Sequence, residues 1–259
     1  MVNESIIQLV REAQQINVYT GAGMSTEGED GSKNGGIPDF RSKSGLYQHT
    51  PETILSRDFF FNHPEKFYDF FFQSLYHPSV KPNKGHHILA EWEKKGKDIH
   101  IITQNIDGLH NAAGSTNVIE FHGTIQTATC YNPKCRRQYT VEELTLRRLE
   151  KKNFYVCDCG LANTRRFIKP DVVLYDEAGK WMSNKHISNI RQNNWRADVI
   201  MVLGSSLRVY PFRSFIDNKP PQIPLIIIND EPLSQEYLPN THAIHQSISA
   251  TLSELNEYI

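Results

Sequence analysis

Ile99-His100-Ile101-Ile102-Thr103-Gln104-Asn105-Ile106-Asp107-Gly108-Leu109-His110 changes character half-way along. Its first part, with Ile99, Ile101 and Ile102, is an apolar, β-rich run that reads as a buried strand. The run then meets Gln104, Asn105 and Asp107, side chains that can only hydrogen-bond. Polar clusters at strand ends sit where open α/β sheets bind ligands. Asn-Ile-Asp-Gly is also a sequence of turn-forming residues, so the neighbouring stretches have to decide.

The same change recurs along the chain. Ile16-Asn17-Val18-Tyr19 runs into Thr20-Gly21-Ala22-Gly23-Met24-Ser25, the start of a nucleotide-binding βα turn without the full glycine fingerprint. There, glycines would let backbone approach a pyrophosphate and the next helix would offer its free N–H groups. Ala197–Leu203 is nearly continuous in apolar residues, as expected of a central parallel strand, and ends in Gly204-Ser205-Ser206. Pro224–Ile228 ends likewise in Asn229-Asp230. Val118–Phe121 alternates like a strand and stops at His122-Gly123. With helical segments between them, these runs predict a doubly wound parallel sheet. Its carboxyl edge would form one crevice, and a dinucleotide is the ligand that uses so many contacts.

Between these runs lie other segments. Residues 1–15 are amphipathic and predict a helix, with no secretory signal. Thr26–Gly36 is polar and Gly-rich and reads as a surface loop, followed by Ile37-Pro38-Asp39-Phe40-Arg41, where a ring and a guanidinium could close over a ligand. Phe59–Tyr76 is dense in aromatics and predicts a helical stretch with one face in a core. His86–Lys97 predicts a further helix, Lys169–Tyr175 a strand entering a loop at Asp176-Glu177, and residues 249–259 a closing helix.

All four cysteines fall between Cys130 and Cys159, as Cys130-x4-Cys135 and Cys157-x-Cys159. A helix announced by the Thr140/Glu143 capping box separates them. In a reducing compartment such clustering points to metal, with free or redox-active thiols the alternative. Neither pair has the usual C-x2-C spacing, and four thiolates around zinc would leave no open position, so the expected role is structural. The 259 residues suffice for one large domain with a small insert. With 28 basic and 29 acidic residues, the chain lacks the basic excess that broad nucleic-acid or membrane-surface binding requires. A soluble, cytoplasmic protein is the expectation.

Taken together, Gly21–Ser25 (G-A-G-M-S), Gly36–Arg41 (G-I-P-D-F-R), Thr103–Asp107 (T-Q-N-I-D), His122-Gly123, the cysteine quartet, Gly204–Leu207 (G-S-S-L) and Ile228-Asn229 resemble the sirtuins, NAD⁺-dependent protein deacylases, of the bacterial type. The motifs stand in family order and span nearly the whole chain. The resemblance implies an α/β fold with a Rossmann-like large domain at about 1–30, 84–125 and 168–259. It implies a small domain at about 31–83, lid loop and helical insert, and 126–167, a zinc ribbon. NAD⁺ and an acyl-lysine peptide would meet between them.

It implies cofactor contacts from Gly21, Ala22, Gly23, Thr26, Asp39, Phe40 and Arg41. Gln104 and Asn105 would hold the nicotinamide ribose, and Ile106 and Asp107 the nicotinamide itself. Gly204, Ser205, Ser206, Asn229 and Asp230 would serve the phosphates and adenosine, with Ile248 at the adenine. His122 would be the general base, suited because an imidazole titrates near neutral pH, and Asn105 its catalytic partner. Cys130, Cys135, Cys157 and Cys159 would hold structural zinc. Val172, Val173, Leu174 and Tyr175 would receive the peptide as an added strand. The implied reaction moves the acyl group from lysine to ADP-ribose, giving nicotinamide, O-acyl-ADP-ribose and free lysine, with the enzyme a monomer that touches neither nucleic acid nor membrane. Alternatives are a mono-ADP-ribosyltransferase, a hydride-transfer dehydrogenase and a non-catalytic acyl-lysine reader.

Three departures from the family stand out. The loop Thr26–Gly35 is longer than usual. Asp176 replaces the glycine of the family's F-G-E, and only glycine takes a positive φ without cost. Phe71 and Ser74 fall where succinyl-removing members carry Tyr and Arg, so an apolar acyl group, acetyl or longer, is favoured.

Overall fold

Six parallel strands carry the fold: β1 (Gln15–Thr20), β2 (Asp98–Thr103), β3 (Val118–Glu120), β7 (Val199–Leu203), β8 (Leu225–Ile228) and β9 (Thr241–Ile244). The computed structural model describes residues 2–32, 35–38, 50–160, 166–177 and 184–259. The spatial order is β3-β2-β1-β7-β8-β9, every neighbouring pair parallel. By position in this sheet that is 3-2-1-4-5-6, the order of a dinucleotide-binding fold, with the reversal between β1 and β7. The expected parallel sheet is therefore present. Strand β9 went unforeseen because Thr241-His242-Ala243-Ile244 is short, half polar and only partly buried.

Alternation along the strands sorts the two faces of the sheet. Ile16, Val18, Ile99, Ile101, Val199, Met201 and Leu203 face one core. Helices α1 (Glu4–Glu12), α5 (Lys84–Lys94) and α10 (Ile248–Asn256) close it with Ile6, Val10, Leu89, Trp92 and Leu252. Tyr19, Ile102, Ile200, Val202 and Ile227 face the opposite core, covered by Ile190 of α8 (Asn184–Asn194) and by Phe212 and Phe215 of α9 (Phe212–Asp217).

A third core belongs to the inserts. The aromatic stretch is not one helix. Pro64 has no N–H to give and its ring clashes with the preceding turn, so α3 (Arg57–Asn62) stops at His63 and α4 (Pro64–Phe70) restarts with Pro64 in its first turn. A π-turn over Phe71–Leu75 ends it, closed by Tyr76 N–H to Phe71 O at 2.9 Å. Phe60, Phe67, Tyr68 and Phe71 then pack against Ile125, Ala128, Tyr139, Leu144, Phe154 and Ile168 of the second insert. That insert is a three-stranded antiparallel sheet of β4 (Gly123–Cys130), β5 (Gln138–Thr140) and β6 (Ile168–Val172), with α7 (Val141–Glu150) starting at the foreseen Thr140/Glu143 capping box. The Tyr68 hydroxyl donates to Ile168 O at 2.6 Å, tying the helical insert to β6. Neither insert buries a sufficient face alone; together they form one small layer beside the large sheet.

Helix α6 (Leu109–Ala113) follows β2 and brings His110 against His86 of α5, ring centroids 4.6 Å apart. His110 Nε2 meets Thr20 Oγ1 at 3.1 Å and His86 Nδ1 meets Asn83 Oδ1 at 2.8 Å. The remaining nitrogens, His86 Nε2 and His110 Nδ1, are buried with no partner among the described residues. Burial holds both rings neutral, pushing His110 down to about 3 and His86 well below the usual imidazole range. Unfolded, both would titrate near 6.5. Below that pH the unfolded chain binds protons the native one refuses, so stability falls as pH drops from 6.5 towards 3. The slope approaches about 1.4 kcal/mol per pH unit for each ring. Urea denaturation at pH 7 and pH 5.5 should show this loss, and His110→Gln should flatten it; an unchanged slope in that variant refutes the assignment.

Candidate active site

Two turns meet at the reversal between β1 and β7. Gly21 N–H donates to Leu203 O at 3.1 Å and Gly23 N–H to Gly204 O at 2.8 Å. A Cβ on Gly21 would lie 2.7 Å from Ser205 Cα, and one on Gly23 2.7 Å from Gly204 Cα. The glycines are thus required by the contact of one turn with the other. No full helix follows: Ala22–Ser25 is a single 3₁₀ turn, so the N–H array is shorter than expected.

Ser25 is the hub of this floor. Its hydroxyl donates to Asp107 Oδ2 at 2.8 Å and accepts from Asn105 Nδ2 at 3.0 Å. Asn105 Nδ2 also lies 3.0 Å from Gly21 O, and the Asp107 Oδ1 accepts from Leu109 N–H at 2.9 Å. Gln104 N–H donates to Thr20 O, and Ser205 Oγ lies 2.7 Å from Gln104 Oε1. Gln126 Nε2 holds Asp107 O at 2.7 Å. Burial pushes the Asp107 carboxyl up, against the pull of its Leu109 and Ser25 hydrogen bonds. The Gln104–Asp107 turn is a hydrogen-bonded polar shelf. Ser25 was missed as a site residue; its distance from Asn105 and Asp107 along the chain gave no signal.

His122 stands over this shelf from the next strand end. Its Nδ1 is 3.1 Å from Gln104 O. A carbonyl oxygen only accepts, so Nδ1 carries the proton and the lone pair is at Nε2. The ring leans edge-on against Phe121, centroids 5.4 Å apart. Ile106 O is held by Ile125 N–H at 2.9 Å, so shelf and base share a scaffold.

The adenosine-side candidates lie over β7 and β8. Ser206 and Asn229 line a cavity of about 300 Å³ together with Arg208, Arg213 and Glu231. Asp230, next along the chain from Asn229, is exposed, and Gly204 and Ser205, which precede Ser206, are buried. Hydroxyl, amide and guanidinium donors over strand ends suit ribose and phosphates, so the donor set fits a dinucleotide. Ile248 is 6% exposed at the start of α10, its N–H taken by Glu27 at 3.0 Å. Asp39, Phe40 and Arg41 lie outside the described residues.

The long loop is closed at its base. Thr26 Oγ1 donates to Gly23 O at 3.0 Å, Gly36 N–H to Thr26 O at 3.0 Å and Ile37 N–H to Ser25 O at 2.7 Å. The chain therefore leaves and returns at one point, and Ile37-Pro38 starts where a short connection would deliver it. Gly28 backbone lies 3.1 Å from where a Gly35 Cβ would be, so the excursion can be removed and its ends joined. Excising Gly28–Asn34 should change stability by less than about 1 kcal/mol, since loop length enters closure entropy only logarithmically. A loss of several kcal/mol in urea denaturation would show that the loop is part of the core structure.

The four cysteines converge as foreseen. Their sulfurs lie within 4.8 Å of one another, with Cys135 and Cys157 Sγ 3.8 Å apart. Tetrahedral zinc at a Zn–S distance of about 2.3 Å separates sulfurs by roughly 3.8 Å. These separations suit zinc although neither cysteine pair has the C-x2-C spacing. Tyr139 donates to Cys157 Sγ at 3.0 Å, and the Arg137 and Arg147 guanidinium groups lie 4.9 and 5.3 Å from the Tyr139 ring centroid.

The peptide candidates follow β6. Val173 N–H donates to His122 O at 2.8 Å, and Tyr175 pairs with Leu55 O and Arg57 N–H. Asp176 does take a positive φ, 67°, as the family position demands. Phe71 and Ser74 are both buried in the insert core.

Fold and shelf together define a nucleotide-binding α/β protein with a zinc-ribbon insert. Its family follows from comparison: the profile of the Sir2 family matches residues 21–211. An NAD-dependent protein deacetylase of Bacillus subtilis (strain 168) is 39% identical over 258 residues, covering 95% of each chain. One of Bacillus cereus (strain ATCC 10987 / NRS 248) is 39% identical over 243 residues, covering 90% of each. Among solved structures, a complex of Sir2 with p53 peptide and NAD⁺ superposes with a TM-score of 0.78 at 31% identity, over 99% of this chain and 98% of that one. A Sir2 complex with deacetylated p53 peptide and 3′-O-acetyl-ADP-ribose reaches 0.80 at 30%, again over 99% and 98%. The chain belongs to the Sir2 family.

Proposed function

We propose that this chain is an NAD⁺-dependent protein lysine deacetylase, and that the carrying observation is the bonded set linking Ser25, Asn105 and Asp107 to His122 through Gln104. The relatives named above act as NAD-dependent deacetylases, and the structural neighbours include complexes with a peptide and with acetyl-ADP-ribose. When bound, NAD⁺ supplies an electrophilic ribose carbon and the hydroxyl that leaves acylated. Asn105 and Asp107, already fixed by Ser25 and Leu109, hold the nicotinamide end without reorganising, which is how a preorganised polar site favours a transition state. Gln104 and Asn105 orient its ribose, and Ser205, Ser206 and Asn229 take the phosphates and adenosine. His122 accepts the hydroxyl proton at Nε2, with Nδ1 held by Gln104 O.

The peptide runs beside Val172–Tyr175, and its acyl group is apolar, since Phe71 and Ser74 offer no cation. The zinc is structural. The large Rossmann-like unit comprises about 1–30, 84–125 and 168–259, and the small domain about 31–83 and 126–167. The enzyme works as a cytoplasmic monomer; no helix among the described residues is long and apolar enough to cross a membrane.

Incubation with NAD⁺ and a panel of acyl-lysine peptides tests this reading. Expected products are free lysine, nicotinamide and O-acyl-ADP-ribose, with acetyl ahead of succinyl. Label from NAD⁺ appearing on protein without deacylation would instead identify a mono-ADP-ribosyltransferase. Reduced nicotinamide absorbance would identify a dehydrogenase, and binding of acyl-lysine without turnover a reader.

A further inference from the structure

Lys169, on β6, is a lysine with almost no exposed surface that the reading so far gives no role. Its Nζ donates to Val172 O at 2.7 Å and Pro170 O at 3.2 Å, and pairs with Glu177 Oε2 at 3.0 Å. The two side chains are only 8% and 11% exposed. Glu177 Oε2 also accepts from Leu174 N–H at 3.1 Å, and Glu177 N–H closes on Leu174 O at 3.0 Å. Burial pushes the Lys169 ammonium down, and Glu177 pulls it back.

The consequences follow from strand geometry. Successive residues of an extended chain point their N–H and C=O groups to opposite edges. On one edge of 172–175, Val173 N–H is bound to His122 O, and Tyr175 is bound on both sides of Ser56. On the other edge, Val172 O is held by Lys169 and both Leu174 groups by Glu177. Backbone groups on both edges of the segment are thus held by the protein itself, those of Val172 and Leu174 by this pair. The pair also fixes the Leu174–Glu177 turn in which Asp176 sits at φ 67°, a conformation that a non-glycine residue holds only when its surroundings impose it.

We propose that Lys169 and Glu177 form a buried positioning pair that fixes the Leu174–Glu177 turn and so shapes the acyl-lysine-binding segment before substrate arrives. The pair acts through Val172–Glu177 and touches neither NAD⁺ nor the reacting atoms. The proposal rests on the deacetylase reading, which the wild-type assay with acetyl peptide decides first and separately.

Glu177→Gln keeps the size and the acceptor for Leu174 N–H while removing the charge, and Lys169→Met removes the cation. Steady-state kinetics should show KM for acetyl peptide raised about tenfold to a hundredfold, the range expected when a bound substrate is misplaced by about an ångström. KM for NAD⁺ and zinc content should stay within about twofold of wild type. Lys169→Arg, which preserves the cation, should restore most of the peptide KM. Should Lys169→Met fail to fold, Glu177→Gln and Lys169→Arg still decide the matter. Folded Glu177→Gln with an unchanged peptide KM overturns the proposal. So does a parallel rise in both KM values, which would mark a general structural role.

Discussion

Replacing His122 by Ala lowers the turnover of acetyl-lysine peptide by roughly 10² to 10⁴-fold, the span that a positioned base contributes. The loss is in kcat, while NAD⁺ binding and the fold persist. His122 Nδ1 makes one hydrogen bond to Gln104 O and its ring one edge contact to Phe121. Their removal costs about 1 kcal/mol, well inside the stability of a chain with three hydrophobic cores. The backbone link that matters locally, Val173 N–H to His122 O, is unaffected by the side chain. Exchange of labelled nicotinamide into NAD⁺ in the presence of acetyl peptide should fall less than deacetylation does, because breaking the glycosidic bond precedes the use of Nε2. Rates measured for both reactions on one preparation separate the roles. Deacetylation within tenfold of wild type would remove His122 from the base position, and equal loss of both reactions would move its role to the earlier step.

How far this site was legible in the sequence depends on what each residue does. Strand ends such as Gln104–Asp107 and Gly204–Ser206 announce themselves, because an abrupt switch from apolar to polar residues is a local signal. The parallel sheet was legible for the same reason, and its order follows once β1 and β7 are the central pair. Ser25 was not legible as the hub, since its partners Asn105 and Asp107 come from the turn after β2, far along the chain. The glycines were legible as a tight turn; that their missing Cβ atoms also make room for Gly204 and Ser205 only the packed structure reveals. The aromatic stretch misled because periodicity was weighed over Pro64, a backbone rule that periodicity cannot override. Lys169 and Glu177 gave no sign at all, since a buried ion pair and a surface pair look alike in a sequence.

Removing the metal from the cysteine quartet should disable the enzyme although zinc does no chemistry there. The reason is the path of the chain. β4 begins at Gly123, next to His122, and ends at Cys130, a zinc ligand. β6 pairs with it from Ile168 against Cys130 to Val172 against Gly123, then continues into the peptide segment. One end of this ladder is the metal site and the other is the candidate chemistry. The insert's core is shared between the ribbon and the aromatic helices, with Cys130 and Cys157 among its buried members. In zinc-dependent modules the binding free energy is folding free energy, about 10 to 16 kcal/mol in small peptides. Here part of it is replaced by the aromatic contacts. Chelation, or Cys157→Ser, should therefore lower stability by more than about 3 kcal/mol and melt the insert before the parallel sheet. Cys157→Ser also replaces the sulfur that accepts from the Tyr139 hydroxyl with a smaller oxygen. Hydrogen exchange should show protection lost first in 123–177 and retained in β1, β2 and β7. Zinc released to a colorimetric chelator should track lost deacetylation one to one. A zinc-free protein that melts at the wild-type temperature and keeps full activity would show that the quartet is ordinary packing.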